Sequence, residues 1–401
     1  MNNKITKSKP WSKKDRKRVT SDISNHKAKM LKYHMKGYSG YGVAYSPFYD
    51  NKLAVAAGSN FGLVGNGKLV ILDIMPNGRL VKSNSFLTQD GLFDLAWNES
   101  HENQCLVAQG DGSLRLFDIK LENYPIAIYK EHQREVFSCN WNMIQKQMFV
   151  SSSWDGKVKV WSVMRPQSLT TLSPNDTNAA ITLSRTSAVA PVRVPMSNQK
   201  EHQNADGNKE CIYQATFSPH DPNLILCSSG NSFVSLYDLR VPNKGLPQHQ
   251  FLAHGGFEAL TCDFNKYRPH IIATGGVDKM IKVWDLRMCR KMLSQGHQPI
   301  NINEIQGHEL AVRKVTWSPH HSNMLLSTSY DMTSRIWTDL SDDGHRLTGK
   351  TNSIDPAHGC RFIFMEHTEF VFGADWSLWG TPGFVASSGW DGQVCIWNGL
   401  R

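Results

Sequence analysis

Sixteen His and a generous supply of Ser, Thr and Asp give this 401-residue chain the side chains of acid–base and metal chemistry. One spacing recurs. A His is followed by a Ser or Thr, four residues later by an Asp, and six residues after that by a Trp. The sets are His132/Ser151/Asp155/Trp161, His254/Thr274/Asp278/Trp284, His308/Ser327/Asp331/Trp337 and His367/Ser387/Asp391/Trp397. Other fragments are weaker. Gly65-Asn66-Gly67-Lys68 lacks the spacing and following helix of a phosphate loop, and two glycines suit a hairpin turn better. His320-His321 follows a Ser-Pro and belongs on a turn. There is no nucleophile elbow, kinase set or metal-ligand spacing. The eight Cys are scattered without a Cys-x-x-Cys pair, mostly inside apolar runs where a free thiol acts as a small hydrophobe. No catalytic residue, metal or cofactor is expected, and a reducing compartment is favoured.

The elements that carry these residues are short strands. In Lys130–Trp161, Val136, Ser138 and Asn140 alternate against Phe137, Cys139 and Trp141. A second apolar run, Phe149 to Ser153, then leads through the Asp155-Gly156 turn into Lys157–Trp161. Asp-Gly between alternating runs is a strong hairpin signal. The unit is repeated seven times, its first strand ending at Tyr45, Trp97, Trp141, Phe217, Phe264, Trp317 and Trp376, and its third at Leu72, Phe117, Trp161, Tyr237, Trp284, Trp337 and Trp397. Periods near 45 residues, lengthened by insertions, resemble WD40 repeats, and seven such sheets make an all-β, seven-bladed β-propeller. That resemblance implies the role of the recurring sets: in WD40 blades the His, the hydroxyl, the Asp and the Trp form a buried structural relay. A buried Asp without partners would cost several kcal/mol, and the relay supplies them. Blades one, two and four lack the set and are expected to be less rigid.

The boundaries follow. Residues 1–29 form a polar basic tail, expected to be disordered, with ten Lys/Arg against two Asp; eight of the nine net positive charges therefore lie there, and the body is nearly neutral. That argues against nucleic-acid binding by the body. No apolar run reaches eighteen residues, so no membrane insertion is expected. Blades are placed at about 41–88, 89–130, 131–173, 210–252, 253–305, 306–340 and 362–401, with 174–209 a flexible insertion after blade three and Asp339–Arg361 another between blades six and seven. The last unit stops after its third strand. Leu31–Met35 is the available outer strand, so an N-terminal strand should close the ring.

Function must then lie in a surface. The loop entering each first strand and the turn between the second and third strands share the top face. These positions give Asp90, Glu135, Glu258 and Phe370, together with Trp154, Tyr330 and Trp390. Acidic groups and large aromatics on one rim suit an amphipathic ligand with a cation on one side and aliphatic residues on the other.

Particular stretches go beyond the generic repeat. Ala56–Leu69 (AAGSNFGLVGNGKL), Ser85–Gln104 (SFLTQDGLFDLAWNESHENQ), Glu258–Pro269 (EALTCDFNKYRP), Val312–Asn323 (VRKVTWSPHHSN) and Val371–Gly380 (VFGADWSLWG) resemble the receptor for the type-2 peroxisomal targeting signal, the peroxin-7 family, most strongly its yeast members. The similarity runs from Met30 to Leu400. It implies an import receptor that moves between cytoplasm and peroxisome. Such a receptor binds the N-terminal signal Arg-Leu-x5-His/Gln-Leu of folded cargo such as a thiolase, and works with a co-receptor peroxin and docking peroxins at the membrane. Glu135 and Glu258 would take the Arg and His, and the aromatic rim the leucines. The rival is a WD40 substrate adaptor of a ubiquitin ligase or a nuclear scaffold, on the strength of Tyr237-Asp238-Leu239-Arg240 and Trp284-Asp285-Leu286-Arg287.

Overall fold

The computed structural model describes residues 30–62, 64–121, 124–174, 211–241, 245–341 and 359–400. After β1 (Leu31–His34) come β2–β5 (Ser39–Tyr45, Lys52–Gly58, Gly67–Ile74, Leu80–Thr88) and β6–β9 (Leu92–Trp97, Gln104–Gln109, Ser113–Asp118, Ala127–Lys130). Next are β10–β13 (Val136–Trp141, Met148–Ser153, Val158–Ser162, Thr170–Leu172) and β14–β17 (Ile212–Phe217, Leu224–Ser229, Phe233–Asp238, His249–Leu252). They are followed by β18–β21 (Ala259–Phe264, Ile271–Gly276, Ile281–Asp285, Asn303–Ile305) and β22–β25 (Val312–Trp317, Met324–Ser329, Ser334–Thr338, Cys360–Phe364). The last three are β26–β28 (Val371–Trp376, Phe384–Gly389, Gln393–Asn398). They form seven four-stranded sheets, and each blade's inner strand packs on the next, with β26 returning to β2. The fold is a seven-bladed β-propeller.

The ring is closed by β1, which pairs antiparallel with β28 from Leu31↔Ile396 to His34↔Gln393. Met35 extends the seam, its N–H donating to Gly392 O at 2.8 Å. Leu31 and Met35 are buried in the apolar wedge between blades seven and one. Closure gives the last blade its fourth strand and covers the edge of β28.

Two features depart from the sequence reading. The sheet of blade six takes its outer strand from Cys360–Phe364, beyond residues 342–358, with Trp337 opposite Cys360 and Ser334 opposite Phe364. The second insertion therefore lies inside blade six, between its third and fourth strands, and blade seven begins after Phe364. An outer strand carries none of the relay residues, so nothing in its sequence marked which blade it belonged to. Blade five also holds an unanticipated helix, α1 (Leu286–Ser294), whose N-cap Asp285 accepts the Arg287 N–H at 2.9 Å. The tail 1–29 and most of 174–209 lie outside the described residues.

Neighbouring blades are tied where channel-facing side chains accept backbone N–H groups of the next inner strand. Asp94 Oδ2 takes Cys139 N at 3.1 Å, Asn140 Oδ1 takes Phe217 N at 3.0 Å, and Asp263 Oδ2 takes Trp317 N at 2.8 Å. Asp375 Oδ2 takes Tyr45 N at 2.9 Å across the closing seam. The inner strand of a blade has a free edge toward the channel, and these bonds satisfy part of it.

In each of the four recurring sets the side chains form one hydrogen-bonded chain. In blade three Trp161 Nε1 donates to Ser151 Oγ at 2.8 Å, Ser151 Oγ lies 2.8 Å from His132 Nε2, and His132 Nδ1 lies 2.9 Å from Asp155 Oδ2. In blade five Trp284 Nε1 donates to Thr274 Oγ1 at 2.9 Å, Thr274 lies 3.0 Å from His254 Nε2, and His254 Nδ1 lies 2.8 Å from Asp278. In blade six Ser327 Oγ takes Trp337 Nε1 at 2.8 Å and lies 2.7 Å from His308 Nε2, whose Nδ1 is 2.7 Å from Asp331. In blade seven Ser387 Oγ takes Trp397 Nε1 at 3.2 Å and lies 2.9 Å from His367 Nε2, whose Nδ1 is 3.0 Å from Asp391. All four hydroxyl residues, Ser151, Thr274, Ser327 and Ser387, are buried, so none of them can meet a ligand on the top face.

The Trp donates to the hydroxyl, the hydroxyl to Nε2, and Nδ1–H to the carboxylate. In blade six burial lowers the His308 pKa, which favours the neutral ring that this order uses. Burial alone would raise the four Asp carboxyls, but the His hydrogen bond and nearby backbone N–H groups more than reverse this, holding all four below the usual carboxylate range. Leu72, Phe117 and Tyr237, which replace the Trp elsewhere, are fully buried, so packing takes the place of the relay there.

Candidate functional site

The top face is organised by a bulge repeated in every blade. Pairing of the first and second strands shifts register between Gly40/Gly42, Leu92/Asp94, Val136/Ser138, Ile212/Gln214, Ala259/Thr261, Val312/Lys314 and Val371/Gly373. The skipped residues are Tyr41, Phe93, Phe137, Tyr213, Leu260, Arg313 and Phe372. A bulge reverses the alternation beyond it. Strict alternation put Phe137 with Cys139 and Trp141. Instead Val136 joins those two in the wedge between blades, and Phe137 joins Tyr41, Phe93 and Phe372 at the channel mouth. These bulge residues were missed from the sequence, although each stands four positions before its blade's inner-strand aromatic.

Four of the expected site residues rest on this plug. Trp154 stacks on Phe137 (5.1 Å between ring centroids, 23° between planes), and Trp390 on Phe372 (5.0 Å, 7°). Tyr330 meets Phe372 edge-on at 5.4 Å, and Phe370 contacts both Tyr330 (5.0 Å) and Trp390 (5.3 Å). All four are half-buried, and the chain Phe137–Phe93–Tyr41–Phe372 links Trp154 to the other three in one continuous pavement. Backbone bonds set their height: Trp154 N–H to Glu135 O at 3.0 Å, Trp390 N–H to Phe370 O at 2.9 Å, and Tyr330 N–H to Ala311 O at 3.2 Å.

Blade one adds a further ring. Asn60, Phe61 and Gly62 all have positive φ (46°, 56° and 68°), and the Tyr41 hydroxyl donates to the Phe61 carbonyl. A Phe in this region is strained unless its surroundings hold it. Its ring, 49% exposed, lies 5.2 Å from Trp390 and continues the pavement outward.

The three acidic residues differ. Glu258 is exposed, accepts from the Tyr213 hydroxyl at 3.2 Å, and has no cation within 4 Å among the described residues. Tyr213 in turn touches Phe137 and Trp154, so Glu258 joins the pavement's edge. Glu135 lies beside Trp154, but Arg134 Nε is 3.6 Å from its carboxylate. Such an exposed pair is weak, worth about 0–1 kcal/mol, and leaves Glu135 able to exchange partners. Asp90 is apart from the aromatic cluster; its carboxylate accepts Gly91 N–H at 2.8 Å, and Gly67 packs so closely on its carbonyl that a Cβ would lie 2.2 Å away. Burial pushes the Tyr41, Tyr213 and Tyr330 hydroxyls up, keeping them neutral donors.

Below the plug the channel widens into a cavity of about 570 Å³ lined by Asp94, Asp263, Lys314 and Asp375 among others. Among the described residues no three His, Cys, Asp or Glu side chains gather as metal ligands. No described helix is long and apolar enough to cross a membrane. In the two adaptor-like segments Arg240 is bonded to Asp238 (2.7 Å) and Asp221 (2.9 Å), and Arg287 to Asp285 (2.7 Å). Both guanidinium groups remain exposed, so these pairs are weak in the same way as Arg134–Glu135.

Similarity to known proteins agrees with this architecture. The family model described as "WD domain, G-beta repeat" matches residues 123–162 and 358–398, and "EIPR1 beta-propeller" matches 173–337. The peroxisomal targeting signal 2 receptor of Saccharomyces cerevisiae is 61% identical over 381 residues, which span 92% of this chain and all of the relative. The receptor of the same name from Komagataella phaffii is 47% identical over 93% of this chain and all of its own, and that of Mus musculus 32% over 90% and 94%. With identities of this size across nearly the whole propeller, the chain belongs to the family of peroxisomal targeting signal 2 receptors.

Proposed function

We propose that the top face binds the N-terminal type-2 targeting signal, Arg-Leu-x5-His/Gln-Leu, of folded cargo, and that the protein carries this cargo from cytoplasm to peroxisome. The observation that carries the reading is the junction of a carboxylate free of any described cation, Glu258, with a continuous aromatic pavement through Tyr213. As a helix the signal presents its cations and leucines along one side. Glu258 and Glu135 take the Arg and His, and Trp154, Tyr330, Phe370 and Trp390 take the leucines. Asp90 serves as a peripheral acidic group on the same rim.

Magnitudes bear on mechanism. Burying two leucines is worth about 3–6 kcal/mol, whereas association costs about 4–15 kcal/mol. A nine-residue helix must also be ordered on binding. The propeller alone therefore binds the signal weakly, and a co-receptor peroxin covering the helix's exposed side would add the missing area before handover to docking peroxins. A pull-down with an immobilised signal peptide, and with its Arg changed to Glu, tests the reading. Wild-type protein is retained by the first and not the second, and Glu135→Lys and Glu258→Lys lose retention. Unimpaired retention of both variants would overturn the assignment.

A further inference from the structure

Six of the seven bulge positions at the channel mouth hold apolar or aromatic side chains; the seventh is Arg313. It is buried, 8% exposed, with its guanidinium 4.7 Å from the Phe137 ring centroid and 5.2 Å from that of Phe372. Trp154 stacks on Phe137 and Trp390 on Phe372. Arg313 thus contacts both of the rings on which the two pavement tryptophans rest. Among the described residues no carboxylate lies within 4 Å of it, and its Nε has no hydrogen-bond partner. It lines a cavity of about 30 Å³ together with Phe137, Tyr213 and Phe372 and the polar Asp94, Gln214 and Lys314.

An arginine stays charged in any protein environment, and π-faces hold a cation without neutralising it. The charged groups facing it are few. Asp94 lines the same cavity and gives its carboxylate to Cys139 N–H. Lys314, on the same strand, adds positive charge. That cavity thus holds two cations, Arg313 and Lys314, against the one carboxylate of Asp94, which leaves the centre of the top face net positive although its rim carries Glu135 and Glu258.

We infer that Arg313 is a specificity-determining residue: it repels ligand cations from the centre of the pavement. A cationic amphipathic segment is then accepted only with its cations over the acidic rim and its middle positions neutral or acidic. Specificity of this kind comes from a repulsive element as much as from attractive contacts. The inference rests on the proposed reading of the top face as the signal-binding surface. At an effective dielectric of about 20, a second cation about 12 Å from the guanidinium would bind roughly tenfold more weakly at low ionic strength.

The test uses the full chain, with the co-receptor held constant, and labelled signal peptides with Gln, Lys or Glu at the central position, titrated by fluorescence anisotropy at low salt. Wild type is expected to bind the Glu peptide at least as well as the Gln peptide, and the Lys peptide about tenfold more weakly. Arg313→Met, which keeps the apolar stem, should bring the Gln-to-Lys ratio below about threefold while binding the Gln peptide nearly as wild type. Arg313→Lys should keep the discrimination. Equal binding of all three peptides by wild type overturns the inference with no variant needed. So does an unchanged ratio in Arg313→Met, or equal weakening of every peptide, which would mark Arg313 as a structural prop. No binding of any peptide would overturn the proposed function and this inference with it; binding without discrimination overturns the inference alone.

Discussion

Removing β1 should open the ring. The strand contributes a four-residue ladder against β28 and buries Leu31 and Met35 between blades seven and one. Burial of the two apolar side chains is worth about 3–6 kcal/mol, and the ladder adds roughly 3–4 kcal/mol at about 1 kcal/mol per hydrogen bond. Unfolding a chain of this size carries an entropy of about 0.8 kcal/mol/K, so a loss of roughly 6–10 kcal/mol lowers the melting temperature by about 7–12 °C. The exposed edge of β28 should also promote association. The assay is thermal unfolding by circular dichroism, with light scattering alongside, on the full chain and on truncations lacking 1–29 or 1–37. Loss of 1–29 should shift melting by no more than about 1 °C, whereas loss of 1–37 should produce the full drop and concentration-dependent scattering. Leu31→Asp should reproduce most of that drop without shortening the chain. Equal melting of the two truncations would refute the reasoning, because the seam would then contribute nothing.

Three further expectations follow from particular side chains. His132→Ala removes the donor to the buried Asp155 carboxylate and should cost about 3–5 kcal/mol in urea unfolding; a loss below about 1 kcal/mol would mean the relay is not what holds blade three. Burial pushes the Asp375 carboxyl up to about 6, against the N–H groups of Tyr45 and Trp376. A carboxyl raised in the folded state binds its proton more tightly there, so its contribution to stability falls as pH rises from about 4 to 6. Asp375→Asn, which can still accept from Tyr45, should therefore gain about 2 kcal/mol relative to wild type between pH 4.5 and 7; parallel pH profiles would contradict this. Trp390→Ala should weaken signal-peptide binding several-fold while melting within a few degrees of wild type, and unaltered affinity would remove Trp390 from the site.

Much of the scaffold was legible because each blade repeats the same anchors. The Trp that ends the third strand, the turn Asp and the preceding His mark a blade wherever they fall, and the unpaired last blade pointed to Leu31 as the closing strand. The hydroxyl residues were legible by the same spacing: Ser151, Thr274, Ser327 and Ser387 each stand four positions before the turn Asp, which places them on the second strand facing the His. The outer strand Cys360–Phe364 was not legible: it carries no anchor and follows a long insertion, so its partner is chosen only by three-dimensional proximity to β24. The rim was legible in part. Trp154, Tyr330, Phe370 and Trp390 occupy turn positions fixed by the repeat, and the structure gathers them in one cluster. What they rest on was hidden by the bulge. Period-two alternation assigned Phe137 to the wrong side of its strand, and the same error conceals Arg313, which in Val312–Trp317 looks like an ordinary polar residue of a half-exposed strand. In blade two the positional rule falls on Gly91, and its neighbour Asp90 accepts the Gly91 N–H.

The central claim is that Glu258 reads the cation of a bound targeting signal, and a charge-reversal cycle tests it most directly. Affinities would be measured for the normal peptide and its Arg→Glu form against wild type and Glu258→Lys, with the co-receptor held constant. Each single reversal should weaken binding at least tenfold, and the doubly reversed pair should recover most of that loss. If the two losses simply add, Glu258 and the signal's arginine do not meet, and the top-face assignment is wrong.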